Sequence, residues 1–149
     1  MSATLELDRF VLAQEDAGTY ARAVAELRAG RKRSHWMWFV FPQVAGLGAS
    51  AMSQRYAIAS IDEARAYLEH PVLGTRLLEC ARIVSELQVA SAQDVFGAVD
   101  TLKLHSSMTL FARAAQEEQT PCHDVLARYF DGARDAATER ILDLGPAPS

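Results

Sequence analysis

Along most of the chain apolar residues recur at intervals of three and four with polar side chains between them, the spacing of helices that bury one face. The most regular stretch puts Leu73, Leu77, Ala81, Val84 and Leu87 on a single stripe. Leu7, Phe10, Val11 and Gln14 share a face and predict a first helix over residues 5–14. Tyr20, Val24 and Leu27 predict a second, opened at Thr19 and stopped at Gly30, glycine being common just past a helix end. A short helix is expected over 50–59, with Met52 and Tyr56, and the Ser60-x-x-Glu63 spacing of a capping box opens another that ends at His70 before Pro71. Ser91 caps a short helix closed by Gly97. Asp100 or Thr101 then starts one that runs to 118 through Leu104, Met108, Phe111 and Ala115. Thr120-Pro121 begins a helix carrying Val125, Leu126, Tyr129 and Phe130 to its stop at Gly132, and Ala137, Ile141 and Leu144 line the last one. Residues 145–149 read as a frayed tail.

The pattern breaks over residues 31–48. His35-Trp36-Met37-Trp38-Phe39-Val40-Phe41 is apolar on both faces and ends at Pro42, which suits a buried strand or an irregular segment threading the core. Gly46-Leu47-Gly48 then makes a turn; with no third glycine and no flanking strand–helix unit it fails as a dinucleotide fingerprint. The expected fold is therefore an irregular, all-α, multi-helix single domain over residues 1–149 with one non-helical aromatic segment around 31–48.

Composition narrows the function classes. The chain has 149 residues, 50% hydrophobic and 23% charged, the balance of one globular domain able to fold without disulfides or a structural metal. A formal net charge of −4 argues against a dedicated nucleic-acid binder, although Arg31-Lys32-Arg33 is a local basic knot. Its plain alternative is a solvated turn. Cys80 sits in an apolar helical pattern and reads as core, whereas Cys122, behind Pro121 at a helix start, is placed where a thiol pKa can fall. Neither these cysteines nor the four histidines show metal-ligand spacing, so no metal and no cofactor is expected. The apolar run 36–41 is far too short to span a membrane, and Glu6, Asp8 and Arg9 argue against a signal peptide. A soluble, cytoplasmic protein is the expectation.

Two segments could carry chemistry. In the first, Arg31, Lys32 and Arg33 precede Ser34, His35, Trp36 and Trp38. Cations and hydroxyls suit phosphate, and an aromatic face suits a base, so the combination suits a nucleotide-like or phosphorylated ligand. The same tryptophans could simply be core. His35 is the best general acid–base candidate. Gln43, in an otherwise apolar stretch, could orient a ligand or tie the segment to backbone, since an unpaired buried amide costs about 1–3 kcal/mol. The second segment holds Asp100, Lys103, His105, Ser106, Ser107 and Thr109. Asp100 and Lys103 can pair one turn apart, or Asp100 can act as an N-cap; Lys103 with Ser107 could make a base–nucleophile pair, but no oxyanion-hole motif accompanies it.

The run from Gly30 to Gln43 together with Gly46-Leu47-Gly48-Ala49-Ser50 resembles the signature of the DUF1810 family. Tyr67-Leu68-Glu69-His70-Pro71-Val72-Leu73-Gly74, Phe96-Gly97, Asp100, Lys103, Ser106-Ser107-Met108-Thr109-Leu110-Phe111 and Tyr129-Phe130-Asp131-Gly132 with Asp135 and Thr138 agree with it. The resemblance implies a mainly helical bacterial domain and supplies no activity and no catalytic residue. Some members carry the label calpastatin; calpain-inhibitor segments are disordered and poor in aromatics, unlike this chain. The leading expectation is a pocket between residues 31–43 and the helix around 100–107. In it Arg31, Lys32, Arg33, Lys103 and Ser106 would meet a small polar, phosphorylated or nucleotide-like metabolite, Trp36 or Trp38 would stack on it, and Gln43 would help bind it. Any acid–base work, hydrolytic or transferring, would fall to His35 with Asp100. The rivals are a non-catalytic protein-interaction module using the basic aromatic segment as a patch, and a motif that only builds the core. The direction of Trp36 and Trp38 separates the three.

Overall fold

The structure is a computed structural model that describes residues 3–48 and 50–144, with the backbone only for 3–6; the tail expected over 145–149 lies outside the described residues. The elements are α1 (Ala3–Glu15), α2 (Thr19–Arg28), α3 (Met37–Val40), α4 (Ala51–Arg55), α5 (Ile61–Glu69), α6 (Leu73–Glu86), α7 (Ala92–Ala114), α8 (Pro121–Tyr129) and α9 (Ala136–Leu144). No strand occurs among the described residues, so the fold is all-α. The predicted stripe of α6 is its buried face: Leu73, Leu77, Ala81 and Val84 are out of water, joined by Cys80. α6 packs on α8, α5 and α2, and α7 packs on α8, α5 and α9. Phe10, Trp36, Phe41, Tyr67 and Phe111 fill the shared core as the largest fully buried side chains. No described helix is long and apolar enough to cross a membrane.

Three departures from the pattern have local causes. The helix expected over 50–59 stops at Arg55, because Ile58 is pulled into a parallel bridge with Val44. Its amide donates to Gln43 and its carbonyl accepts from Ala45, each at 2.8 Å, and the Ile58 side chain is fully buried. The aromatic segment is irregular as expected, except that α3 makes one helical turn inside it. Gly97 does interrupt the chain as predicted, with φ 78° and ψ 170°, a conformation open essentially to glycine alone. But the helix resumes at once, so neither Asp100 nor Thr101 caps a new start; Thr101 instead donates its hydroxyl to the Gly97 carbonyl at 2.7 Å.

Caps settle the other boundaries. Ser60 accepts from the Glu63 amide, while the Glu63 carboxylate reaches back to the Ala59 amide, one residue beyond the N-cap amide of the usual box, and pairs with Arg9. His70 Nδ1 accepts from the amides of Val72 and Leu73, so this histidine opens α6. At α8, Thr120 and His123 form a reciprocal capping box. α6 begins so close to the end of α5 that a Cβ at Gly74 would lie 1.9 Å from the Leu68 carbonyl oxygen. Gly74→Ala should therefore cost about 3 kcal/mol, the upper range for overpacking, read as a lowered urea midpoint. An unchanged midpoint would contradict this account of the α5–α6 junction.

Candidate functional site

The site starts from one carboxylate. Glu26 lies in the last turn of α2, where an acid opposes the helix dipole. It is held there by four donors: the amides of Arg33 (2.7 Å) and Ser34 (3.0 Å), the Ser34 hydroxyl, and the Trp36 indole N–H (2.9 Å). Burial alone would raise its pKa; the hydrogen bonds from Ser34, Arg33 and Trp36 outweigh that and bring it down to about 2. The chain from 31 to 36 wraps this anion without regular secondary structure, bending at Ser34 and His35, and exposure alternates along it. Arg31, Arg33 and His35 are exposed, while Lys32, Ser34 and Trp36 turn inward.

Lys32 is then fixed from two sides. Its amide donates to Val95 at 2.8 Å, and its ammonium, on a side chain only 8% exposed, sits 2.9 Å from Asp100 Oδ2. The same carboxylate meets Lys103 at 3.4 Å through Oδ1. Each lysine also lies over an indole, Lys32 5.1 Å from the Trp36 ring and Lys103 4.6 Å from the Trp38 ring. Trp36 is core, and Trp38 is half-buried at the edge of an open space.

That space is a cleft of about 440 Å³ between α3, the turn after it, α4 and the first turns of α7. Trp38, Phe41 and Met37 form one wall; Gln43, Gly46, Ser50, Ser53 and Tyr56 line the next; Lys103, with Val99 and Leu102, closes the third. Val99 and Leu102 are each 67% exposed, apolar side chains left at the rim.

The structure therefore divides the predicted residues. Trp38, Gln43 and Lys103 converge on the cleft, with Lys32 and Asp100 directly behind Lys103. Arg31, Arg33 and His35 lie outside its lining, and no hydrogen bond joins His35 to Asp100. Ser106 belongs to another face of α7, donating to Asp135, whose carboxylate also accepts from the Thr138 amide and hydroxyl at the start of α9. His105 stacks on Phe130. Ser107 is fully buried with no partner for its hydroxyl among the described residues, so it forms no pair with Lys103. Cys122 is no activated thiol: burial, only partly offset by a hydrogen bond with Thr120, pushes it up to about 12. Among the described residues no three His, Cys, Asp or Glu side chains gather to hold a metal.

Glu26 and the α4 wall escape a reading by motif. For Glu26 the signal was present, an acid in the wrong turn of a helix followed by a run of cations. For Ser50, Ser53 and Tyr56 it was not, since their place depends on the Val44–Ile58 bridge.

The profile described as Protein of unknown function (DUF1810) matches residues 4–142. The chain belongs to the DUF1810 family. The crystal structure of the conserved hypothetical protein Rv1873 from Mycobacterium tuberculosis is similar, with a TM-score of 0.88 and 52% identity over 93% of this chain and 96% of that chain. No curated protein matches. Neither name carries an activity, so the chemistry of this DUF1810 cleft rests on its own side chains.

The low pKa of Glu26 has a consequence for stability. Its folded pKa lies below the ordinary 4.5, so the ionised form is favoured by folding; the contribution is complete above about 4.5 and is lost as pH falls towards about 2. Glu26→Gln should be less stable than the parent at pH 7, and the gap in urea midpoint should shrink by pH 3. A gap that is constant with pH would show that the carboxylate's charge does not hold the loop.

Proposed function

We propose that this DUF1810 protein binds a small polar metabolite, phosphorylated or nucleotide-like, in the cleft beside Trp38. The observation that carries the reading is the convergence of three unlike groups on one concave, mainly apolar space: an indole face, an amide and an ammonium. The cleft volume falls within the usual range for small-molecule sites. Trp38 would cover a flat ring, Gln43 would hydrogen-bond its edge, and Lys103 would meet an anionic group. Gln43 is suited to this because its side-chain amide makes no hydrogen bond to another described residue, whereas its backbone carbonyl already serves Ile58.

Binding is better supported than turnover. The ionisable side chains among the described lining residues are Lys103 and Tyr56. The acid–base pair expected of His35 and Asp100 finds little support, since His35 is exposed outside the lining and Asp100 is engaged by both lysines. A second reading, docking of an acidic partner protein, is favoured by the common exposure of Arg31, Arg33 and His35 on one segment.

The two readings part in a fluorescence-detected titration with nucleosides, nucleotides and phosphosugars. Trp36 is buried, so emission changes on binding should come from Trp38 and disappear in Trp38→Phe. Lys103→Ala should weaken a charged hit by about tenfold or more, the value of one charge-assisted hydrogen bond. A ligand at a hundredfold excess over its Kd should also stabilise the fold by about 2.7 kcal/mol. Hits that survive Trp38→Phe and Lys103→Ala but are lost on changing Arg31 and Arg33 would move the site to the exposed face and refute the cleft.

A further inference from the structure

Asp100 stands between two ammonium groups but does not serve them equally. Its Oδ2 is 2.9 Å from Lys32, whose side chain is 8% exposed, while Oδ1 is 3.4 Å from Lys103, whose side chain is 27% exposed. A buried ammonium needs a counter-charge far more than a half-exposed one does, because it has lost its water. Lys32 therefore holds the greater claim on the carboxylate, and two cations share one anion. No aspartate or glutamate occurs among the described lining residues of the cleft to cancel the remainder.

We propose that Lys32 is the positioning residue that sets the charge preference of the cleft. By taking the nearer oxygen of Asp100 from behind, it leaves the Lys103 ammonium only partly neutralised and able to meet a ligand, and the three groups together carry one net positive charge. The site then selects a planar ring bearing a single anionic group, a carboxylate or a phosphate monoester. A polyphosphate gains nothing further, since its added charges meet no second cation in the lining. The choice of ligand rests on the binding reading above; the charge of the cleft does not. Lys32 itself touches no ligand, although in the sequence it looks like the centre of a phosphate-binding knot.

The charge can be measured without a ligand, by quenching Trp38 with iodide, caesium and neutral acrylamide at fixed ionic strength. Trp36, 1% exposed, contributes little to such quenching. In the parent protein iodide, scaled to acrylamide, should quench at least about twofold better than caesium, despite the chain's net charge of −4. Lys32→Met releases Asp100 to neutralise Lys103, and the preference should vanish. The double change Lys32→Met with Asp100→Asn removes both partners, leaves Lys103 unopposed and should restore it. Should the single variant fail to fold, the double variant and Lys103→Gln decide: the first keeps the iodide preference and the second loses it. Equal quenching by the two ions in the parent, or a preference indifferent to all these changes, overturns the proposal.

Binding is then compared in matched pairs, nicotinate against nicotinamide and adenosine monophosphate against adenosine, with the triphosphate as a third arm. The charged member of a pair should bind about tenfold tighter in the parent and in the double variant, but not in Lys32→Met. Equal affinity within both pairs refutes the preference while leaving a binding cleft. An iodide preference with no ligand bound by any arm instead refutes the binding reading and leaves the charge assignment standing. The winning pair tells carboxylate from phosphate, and a triphosphate tighter than the monophosphate contradicts the single-charge argument.

Discussion

A lysine ammonium withdrawn from water must be met by an opposite charge, and the arrangement of this protein around the cleft follows from meeting that demand at Lys32. The Lys32 side chain keeps 8% of its exposure and that of Asp100 20%, so both ions give up hydration, and the pair persists only where geometry is fixed from both sides. One side is the 31–36 chain, pinned by four donors on Glu26 and by the Lys32 amide on Val95. The other is α7, which turns sharply at Gly97 and resumes its helix in time to present Asp100 and Lys103 one turn apart. Break either support and the anion between the two lysines loses its place.

From that anchor the aromatic residues take different fates. Trp36 points inward, where its indole N–H reaches Glu26 and its ring meets Phe41. The single turn of α3 carries Trp38 round to the opposite side, beneath Lys103. One tryptophan thus becomes core and the other a wall of the cleft. Asp100, which sequence alone allows to be a helix cap, is spared that duty because the helix has already restarted before it.

The fold was largely legible because helices declare themselves by period and by caps. Ser60, Ser91, Thr120 and Gly97 mark their boundaries by local chemistry, and the α6 stripe names its own buried face. The end of α4 was not legible, because a bridge to Val44 fixes it across more than ten residues of chain. Within the site, Trp38, Gln43 and Lys103 could be picked out as residue types unlike their surroundings. Read as one cluster, Arg31, Lys32 and Arg33 suggest a phosphate grip, yet in the fold exposure alternates along this segment, with Arg31 and Arg33 in solvent. Only Lys32 turns in, and there it meets a carboxylate of the protein. Ser106 lies apart from the cleft, since its helix turns it towards Asp135 and the cap of α9.

We propose that ligand binds on the concave face beside Trp38 and not on the exposed basic segment. Mapping backbone amide shifts by NMR during titration with adenosine monophosphate tests it most directly. The account predicts that the largest changes fall on Trp38, Gln43, Gly46, Ser53 and Lys103, with Arg31, Arg33 and His35 near their free positions. Changes concentrated on Arg31, Arg33 and His35, with the cleft amides unmoved, would contradict it.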